Sequence, residues 1–224
     1  MIALSTTFSY RSRVAIQRIL TIALTMGVFM SALQFSGCKK NETGEVKPET
    51  TLANLRTAYS REMRISHEYS LFAVRAEKDH YSAVAMLYKA LSRAEAIHAS
   101  MAGTLLRSKG EEVPTYTPDS IAVGTVTQTL HLALSDEGLE TESMYPNLIH
   151  TAQVEKFPEA AESFRLALSA DLRHAELIKN MLTKSSSGSG VSYYVCPGCG
   201  YIITSEKDID CPGCHMTKDK FEKI

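Results

Sequence analysis

Four long helical patterns lie between Thr51 and Lys184, and charged residues interrupt the apolar stripe of every one. Stepping alternately three and four residues, the first stripe reads Leu55, Tyr59, Glu62, Ser66, Tyr69. The second reads Val84, Leu87, Leu91, His98, Met101, with Glu95 one turn before His98. The third reads Leu130, Ala133, Glu137, Glu140, Met144, and the fourth Phe164, Ala167, Asp171, His174, Ile178. A carboxylate in a helix-bundle core costs several kcal/mol unless it is paired or holds a metal. The only bundle such a chain can form is therefore one built around those charges.

The patterns break near Asp79–His80, at "GEEVPTYTPD" and at "VEKFP", which predicts helices over roughly 51–79, 81–109, 119–154 and 158–184. Gly110 suits a helix stop and Pro158 a first helical turn. If the first hairpin turns near residue 80, Glu62 lies 18 residues before the turn and His98 18 after it. If the second turns near 156, Glu137 and Glu140 lie 19 and 16 before it, and Asp171 and His174 lie 15 and 18 after it. Glu95 lies 15 after the first turn, so all seven groups converge at one depth. The hairpins also repeat: Glu95 to Asp171 and His98 to His174 are both 76 residues apart, and "ALSRAEAIHA" echoes "ALSADLRHA". An internal duplication is the economical explanation.

Five carboxylates and two imidazoles suit iron or manganese. Glu-x-x-His on one helix face, with Glu from other helices, is the pattern of ferritin-like di-iron bundles. Here the motifs are "EAIH" and "DLRH". A lone match means little: "EKDH" ends on His80, 18 residues from Glu62, about 27 Å along a helix. It reads as a turn. Glu68, Asp136, Glu142, Glu162 and Glu176 read as solvated charges, and His67, His131, His150 and His215 as surface residues.

Beyond "SSSGSG" stand two Cys-Pro-Gly-Cys pairs, Cys196–Cys199 and Cys211–Cys214. Such a set holds zinc or a single iron tetrahedrally, with turn N–H groups able to point at sulfur. An isolated ribbon favours zinc. Beside a redox-type site an Fe(Cys)4 centre, which passes one electron at a time, is favoured.

Residues 1–37 carry Arg11, Arg13 and Arg18 and no acid, then an apolar run of about 15 residues and "SGC". The run is short for a membrane span of about 20 residues. It reads as an export signal. Ser36 and Gly37 before Cys38 resemble a bacterial lipoprotein signal, with Cys38 lipidated and the protein held on a membrane facing the periplasm or cell exterior. A plain signal peptide or signal anchor is the other reading. Removing residues 1–37 would move the formal charge from −1 to −4, no footprint for nucleic acid. The organisation expected is a leader over 1–37, a polar tether over 38–50, a four-helix bundle over 51–184, a linker over 185–192 and a four-cysteine metal domain over 193–224.

Taken together, "AYSREMRISHEY", "EAIH", "DEGLETESMYP", "DLRH" and "YVCPGCGYI…CPGC" resemble the rubrerythrin family. The resemblance implies a ferritin-like di-iron bundle followed by a rubredoxin-like domain. It implies di-iron ligands at Glu62, Glu95, His98, Glu137, Glu140, Asp171 and His174, an Fe(Cys)4 site at Cys196, Cys199, Cys211 and Cys214, and tyrosines near the di-iron site at Tyr69 and Tyr145. It further implies hydrogen peroxide reduction, an electron-donor protein and a homodimer, in which one subunit's tail can serve the other's bundle. Asp171 stands where the family usually has Glu, which shortens one arm and would open one iron. A ferroxidase or iron-binding relative, and a bundle with a structural zinc ribbon, are the alternatives.

Overall fold

The structure, a computed structural model, describes residues 50–183, 191–204 and 209–224. The leader, most of the tether and most of the linker lie outside the described residues.

Helices α1 (Thr51–Lys78) and α2 (Ser82–Ser108) form the first hairpin. Thr50 caps α1, its hydroxyl accepting from Ala53 N–H at 3.2 Å. Gly110, at φ +75°, follows the end of α2 as expected of a stop residue. Ser66 and Ser92 each donate to the other's backbone carbonyl at 2.8 Å, which explains a serine in the inward stripe of α1.

The second hairpin departs from expectation at its start. Residues 111–125 form no helix, and α3 (Val126–Leu139) begins seven residues after Asp119. Thr125 and Gln128 make a capping box there, each side chain satisfying the other's backbone. The prolines and Gly124 upstream oppose an earlier start. A π turn (Glu140–Met144) then joins α3 to α4 (Tyr145–Val154), and α5 (Pro158–Thr183) returns.

The two hairpin turns are copies. His80 (φ 64°) and Lys156 (φ 57°) occupy the left-handed position, and Tyr81 N–H to Ala76 O and Phe157 N–H to Ala152 O both measure 2.8 Å. Equivalent positions are again 76 residues apart, so the duplication holds in the backbone. Before the π turn the offset falls to 75, as from Glu62 to Glu137, because a π turn inserts one residue.

Polar groups divide the core into two apolar clusters. One contains Ile65, Phe72, Leu87, Leu91, Leu130 and Ile178. The other contains Leu55, Leu106, Leu148, Ala160 and Phe164. The tail folds as a three-stranded sheet with β1 (Tyr194–Val195) between β2 (Ile202–Ile203) and β3 (Glu222–Lys223), both pairings antiparallel. Tyr193, Val195 and Ile202 join the first cluster, so the tail packs on the bundle of its own chain. Arg93 holds Glu222 through two bonds of 2.6 and 2.7 Å, and Arg173 Nε donates to Ile202 O at 3.2 Å.

Candidate metal centres

The polar layer between the clusters holds all seven sequence-predicted groups. Glu62 comes from α1, Glu95 and His98 from α2, Glu137 from α3, Glu140 from the π turn, and Asp171 and His174 from α5. None is more than 3% exposed. Glu95 sits at the centre: Oε2 lies 2.8 Å from His98 Nδ1 and Oε1 3.1 Å from His174 Nδ1. Asp171 Oδ1 is 3.4 Å from both imidazole Nδ1 atoms. Donor atoms of Glu62, Glu95 and His98 lie within 4.8 Å of one another, and so do those of Glu95, Glu137, Asp171 and His174. The two groups share Glu95. Glu140 belongs to neither.

Each histidine gives its outer N–H to the tail. His98 Nε2 is 3.1 Å from Cys199 O, and His174 Nε2 is 3.1 Å from Gly200 O. A carbonyl only accepts, so Nε2 carries a proton, which leaves Nδ1 as the nitrogen that would face a metal; without one, Nδ1–H of His98 donates to Glu95. The tyrosines cross between the repeats: Tyr69 donates to Glu137 at 2.8 Å and Tyr145 to Glu62 at 2.6 Å. Even so, Glu62 Oε2, Glu95 Oε1, Glu137 Oε2, Glu140 Oε2, both Asp171 oxygens and His174 Nδ1 are buried without a hydrogen bond. Buried orphans clustered this densely fit a site completed by metal ions.

Without metal, protons stand in. Burial, then repulsion from Glu95, pushes Glu62 well above the carboxylate range, and burial pushes Glu137 up to about 8. Burial and then Glu62 likewise raise Glu140, and burial raises Asp171. Burial also opposes Glu95's charge, yet the flanking His98 and His174 hold it below its usual value. Burial would lower both histidines, but the acids around them raise His98 to about 9 and His174 well above normal.

These shifts fix how the metal-free protein responds to pH. Glu137 and His98 bind protons more tightly folded than unfolded. Their stabilisation is fully present below their unfolded pKa values and is lost as pH rises through about 8 and about 9. Glu95 acts oppositely, and its contribution is lost in acid. Calorimetry of the metal-free protein should show Tm falling from about pH 6 to about pH 9, with the metal-loaded form falling less because metal replaces the protons. A flat profile for the metal-free protein would contradict this electrostatic picture.

In the tail, Cys196 Sγ–Cys214 Sγ is 3.5 Å and Cys199 Sγ–Cys211 Sγ is 3.4 Å. These exceed a disulfide bond of about 2.05 Å and approach the edge of a tetrahedron with metal–sulfur bonds of about 2.3 Å. All four sulfurs lie within 4.8 Å of one another. Backbone N–H groups of Gly198, Tyr201, Gly213 and Cys214 point at sulfur, as turn geometry suggested.

A rubrerythrin family model matches residues 53–182. The chain belongs to the rubrerythrin family. It is 29% identical over 186 residues to Rubrerythrin-2 of Clostridium acetobutylicum, covering 79% of this chain and 98% of that one. It is 31% identical over 175 residues to Nigerythrin of Nitratidesulfovibrio vulgaris, covering 77% and 85%. A structure of nigerythrin described as fully reduced and all ferrous superposes with a TM-score of 0.73 at 30% identity, covering 82% of this chain and 91% of that one. Within this family, Glu95, Glu137, Asp171 and His174, with Glu62 and His98, fit a di-iron site, and the four cysteines fit a rubredoxin-like Fe(Cys)4 site.

Two of the acids read as solvated, Glu68 and Asp136, need correction, whereas the histidines read as turn or surface residues do not. Glu68 is only 6% exposed and Asp136 is largely buried, because Arg64 holds Glu68 at 2.6 Å and Arg61 holds Asp136 at 3.1 Å. His80, His131, His150 and His215 are exposed, and His67 is half-buried against Tyr116. Arg61 was missed altogether. Its partners come from 75 and 79 residues away, and no local pattern announces them.

Proposed function

We propose that this protein reduces hydrogen peroxide to water at the di-iron site, with electrons relayed from the Fe(Cys)4 centre. The observation that carries this reading is the pair of bonds from His98 and His174 to the carbonyls of Cys199 and Gly200. They join the two centres by one imidazole each. H2O2 takes up two electrons and two protons and leaves as two waters, and bound iron supplies the redox chemistry. Tyr69 and Tyr145 keep their phenolic protons beside Glu137 and Glu62, since burial raises both phenols far above their usual range. The two apolar clusters exclude bulk water from the layer. Of the four cysteines Cys214 is the one not fully buried, which suits contact with an external donor. The bonds that would carry the relay lie within one chain.

Rapid mixing of reduced protein with H2O2, following reappearance of the oxidised Fe(Cys)4 colour, tests the assignment. A ferroxidase would consume Fe(II) without that signal. Gly200 gives a sharper test of the relay. It sits at φ +77°, and a Cβ there would lie 2.6 Å from His98 Nε2. Gly200→Ala should push the loop off the histidines and slow reoxidation at least about ten-fold, compared with the parent at equal iron content. An unchanged rate would remove the relay.

We also propose export with lipidation at Cys38, supported by the arginine-only leader and "SGC". Mass spectrometry of native protein should find an acylated chain beginning at Cys38. An intact Met1 in the soluble fraction would refute it.

A further inference from the structure

A molecule that reacts in the buried polar layer has to pass between helices, and at that depth the bundle has four seams. Three are closed. Between α1 and α2, Ser66 and Ser92 exchange hydrogen bonds of 2.8 Å, one turn from Glu62 and Glu95. Between α1 and α3, Arg61 holds Asp136 at 3.1 Å. Over α2 and α5 lies the tail loop, with the Cys199 and Gly200 carbonyls on the two histidines. The fourth seam, between α3 and α5, carries a groove of about 310 Å³. Its walls include Leu134, Gly138, Thr141, Leu172, Ala175 and Lys179. The groove lies at the level of the site: Gly138, Leu172 and Ala175 directly follow Glu137, Asp171 and His174 in the chain. Thr141 Oγ1 donates to the carbonyl of Glu137 at 2.7 Å.

We propose that this groove is the port by which hydrogen peroxide reaches the di-iron site, and that Gly138 keeps it open and sets the size of molecule admitted. This deepens the peroxidase reading and rests on it. The duplication supplies the contrast. The equivalent seam of the first hairpin has Tyr59 for Leu134, Met63 for Gly138 and Gly103 for Lys179. There the Tyr59 ring lies 3.2 Å from where a Gly103 Cβ would stand, so the seam is filled. A Cβ on Gly138 would meet no atom within 4 Å, and its φ is not in the left-handed region. Neither backbone geometry nor close packing therefore requires a glycine, which weakens a helix interior. What its missing side chain preserves is the groove. The Thr141 hydroxyl and the Lys179 amine offer hydrogen bonds to a small polar peroxide, beside the apolar Leu134 and Leu172. The ligands behind the groove are at most 3% exposed, so the last step inward takes side-chain movement at its floor.

The test follows entry as well as turnover. Iron-loaded full-length protein is reduced chemically, which bleaches the tail, and is mixed with H2O2, with the bulkier tert-butyl hydroperoxide, or with nitric oxide, which gives a visible band on ferrous iron. Gly138→Leu should fill the groove and slow both H2O2 reoxidation and nitric oxide binding about ten-fold at equal iron content. It should not lower Tm, because leucine favours a helix over glycine. Leu172→Ala, at a side chain 59% exposed, should widen the mouth and raise the tert-butyl hydroperoxide rate several-fold relative to that of H2O2. Thr104→Leu fills a different groove, between α2 and α5, and should change none of these rates. Parent-like rates in folded, iron-loaded Gly138→Leu overturn the proposal. If that variant does not fold, an unchanged ratio of the two peroxide rates in Leu172→Ala overturns it. A parent that binds nitric oxide but does not react with H2O2 overturns the peroxidase reading, and the nitric oxide rates then decide the port alone.

Discussion

Glu95→Ala is expected to empty both metal positions of the bundle at once. Each Glu95 oxygen faces a different imidazole, at 2.8 and 3.1 Å, and both donor groups include this residue. Iron should fall from three per chain to the single ion of the tail. Peroxide-driven reoxidation of the tail should fall roughly 100-fold or more, since loss even of a group supporting a metal ligand costs 10–100-fold. The Fe(Cys)4 colour should survive. The variant should also be less stable by about 1–3 kcal/mol, because His98 and His174 lose a buried partner. His98→Ala provides the contrast, since it belongs to only one donor group and should leave the other metal bound. Iron analysis and rapid mixing decide the matter. A Glu95→Ala protein that reoxidises at the parent rate removes the di-iron site as the place of reaction.

Cys199→Ser should produce the second large effect, at the other end of the relay. Cys199, Cys196 and Cys211 form the centre of the tail's own cluster, and among the described residues Tyr201, Cys214, Met216 and Phe221 of the tail and Leu166 of α5 pack around them. So small a core depends on its metal. Loss of one thiolate should abolish the red colour and loosen the tail. Turnover with a protein donor should then stop. A bundle loaded with excess iron and chemically reduced should still react once with H2O2, because its own ligands are untouched. Turnover that persists in the colourless variant would show that electrons reach the bundle by another route. Stoichiometric zinc in native protein would have the same consequence and would leave a structural ribbon.

What the sequence disclosed here was the part set by spacing. Counting from two hairpin turns placed seven polar side chains at one depth, and the structure buries all seven there. The paired Cys-Pro-Gly-Cys motifs converge as their spacing implied. Features decided by competition between neighbours were less legible. The start of α3 depended on Thr125 and Gln128 capping each other, against an equally plausible Asp119. The π turn was hidden because stepping by three and four from Glu137 reaches Glu140 and Met144 as smoothly as a regular helix would. The inserted residue shows only afterwards, where Tyr145 is buried and Met144 partly exposed. Acids such as Glu68 and Asp136 read as solvated since their arginines come from elsewhere on α1 or across to α3. The seat of the tail depends on Gly200 approaching His98, a contact 102 residues apart in sequence.

The bonds from the two histidines to the Cys199 and Gly200 carbonyls also tie the loading of one centre to the other. An ion on the four cysteines would hold this loop, and with it the carbonyls, in place, and the carbonyls set the tautomer in which each imidazole can accept a metal at Nδ1. Linkage makes such help mutual: whatever affinity the tail ion lends to the bundle ions, they return in equal measure. A chain starved at its tail would therefore also retain iron less well in its bundle, so partly metallated protein should be scarcer than independent sites would allow.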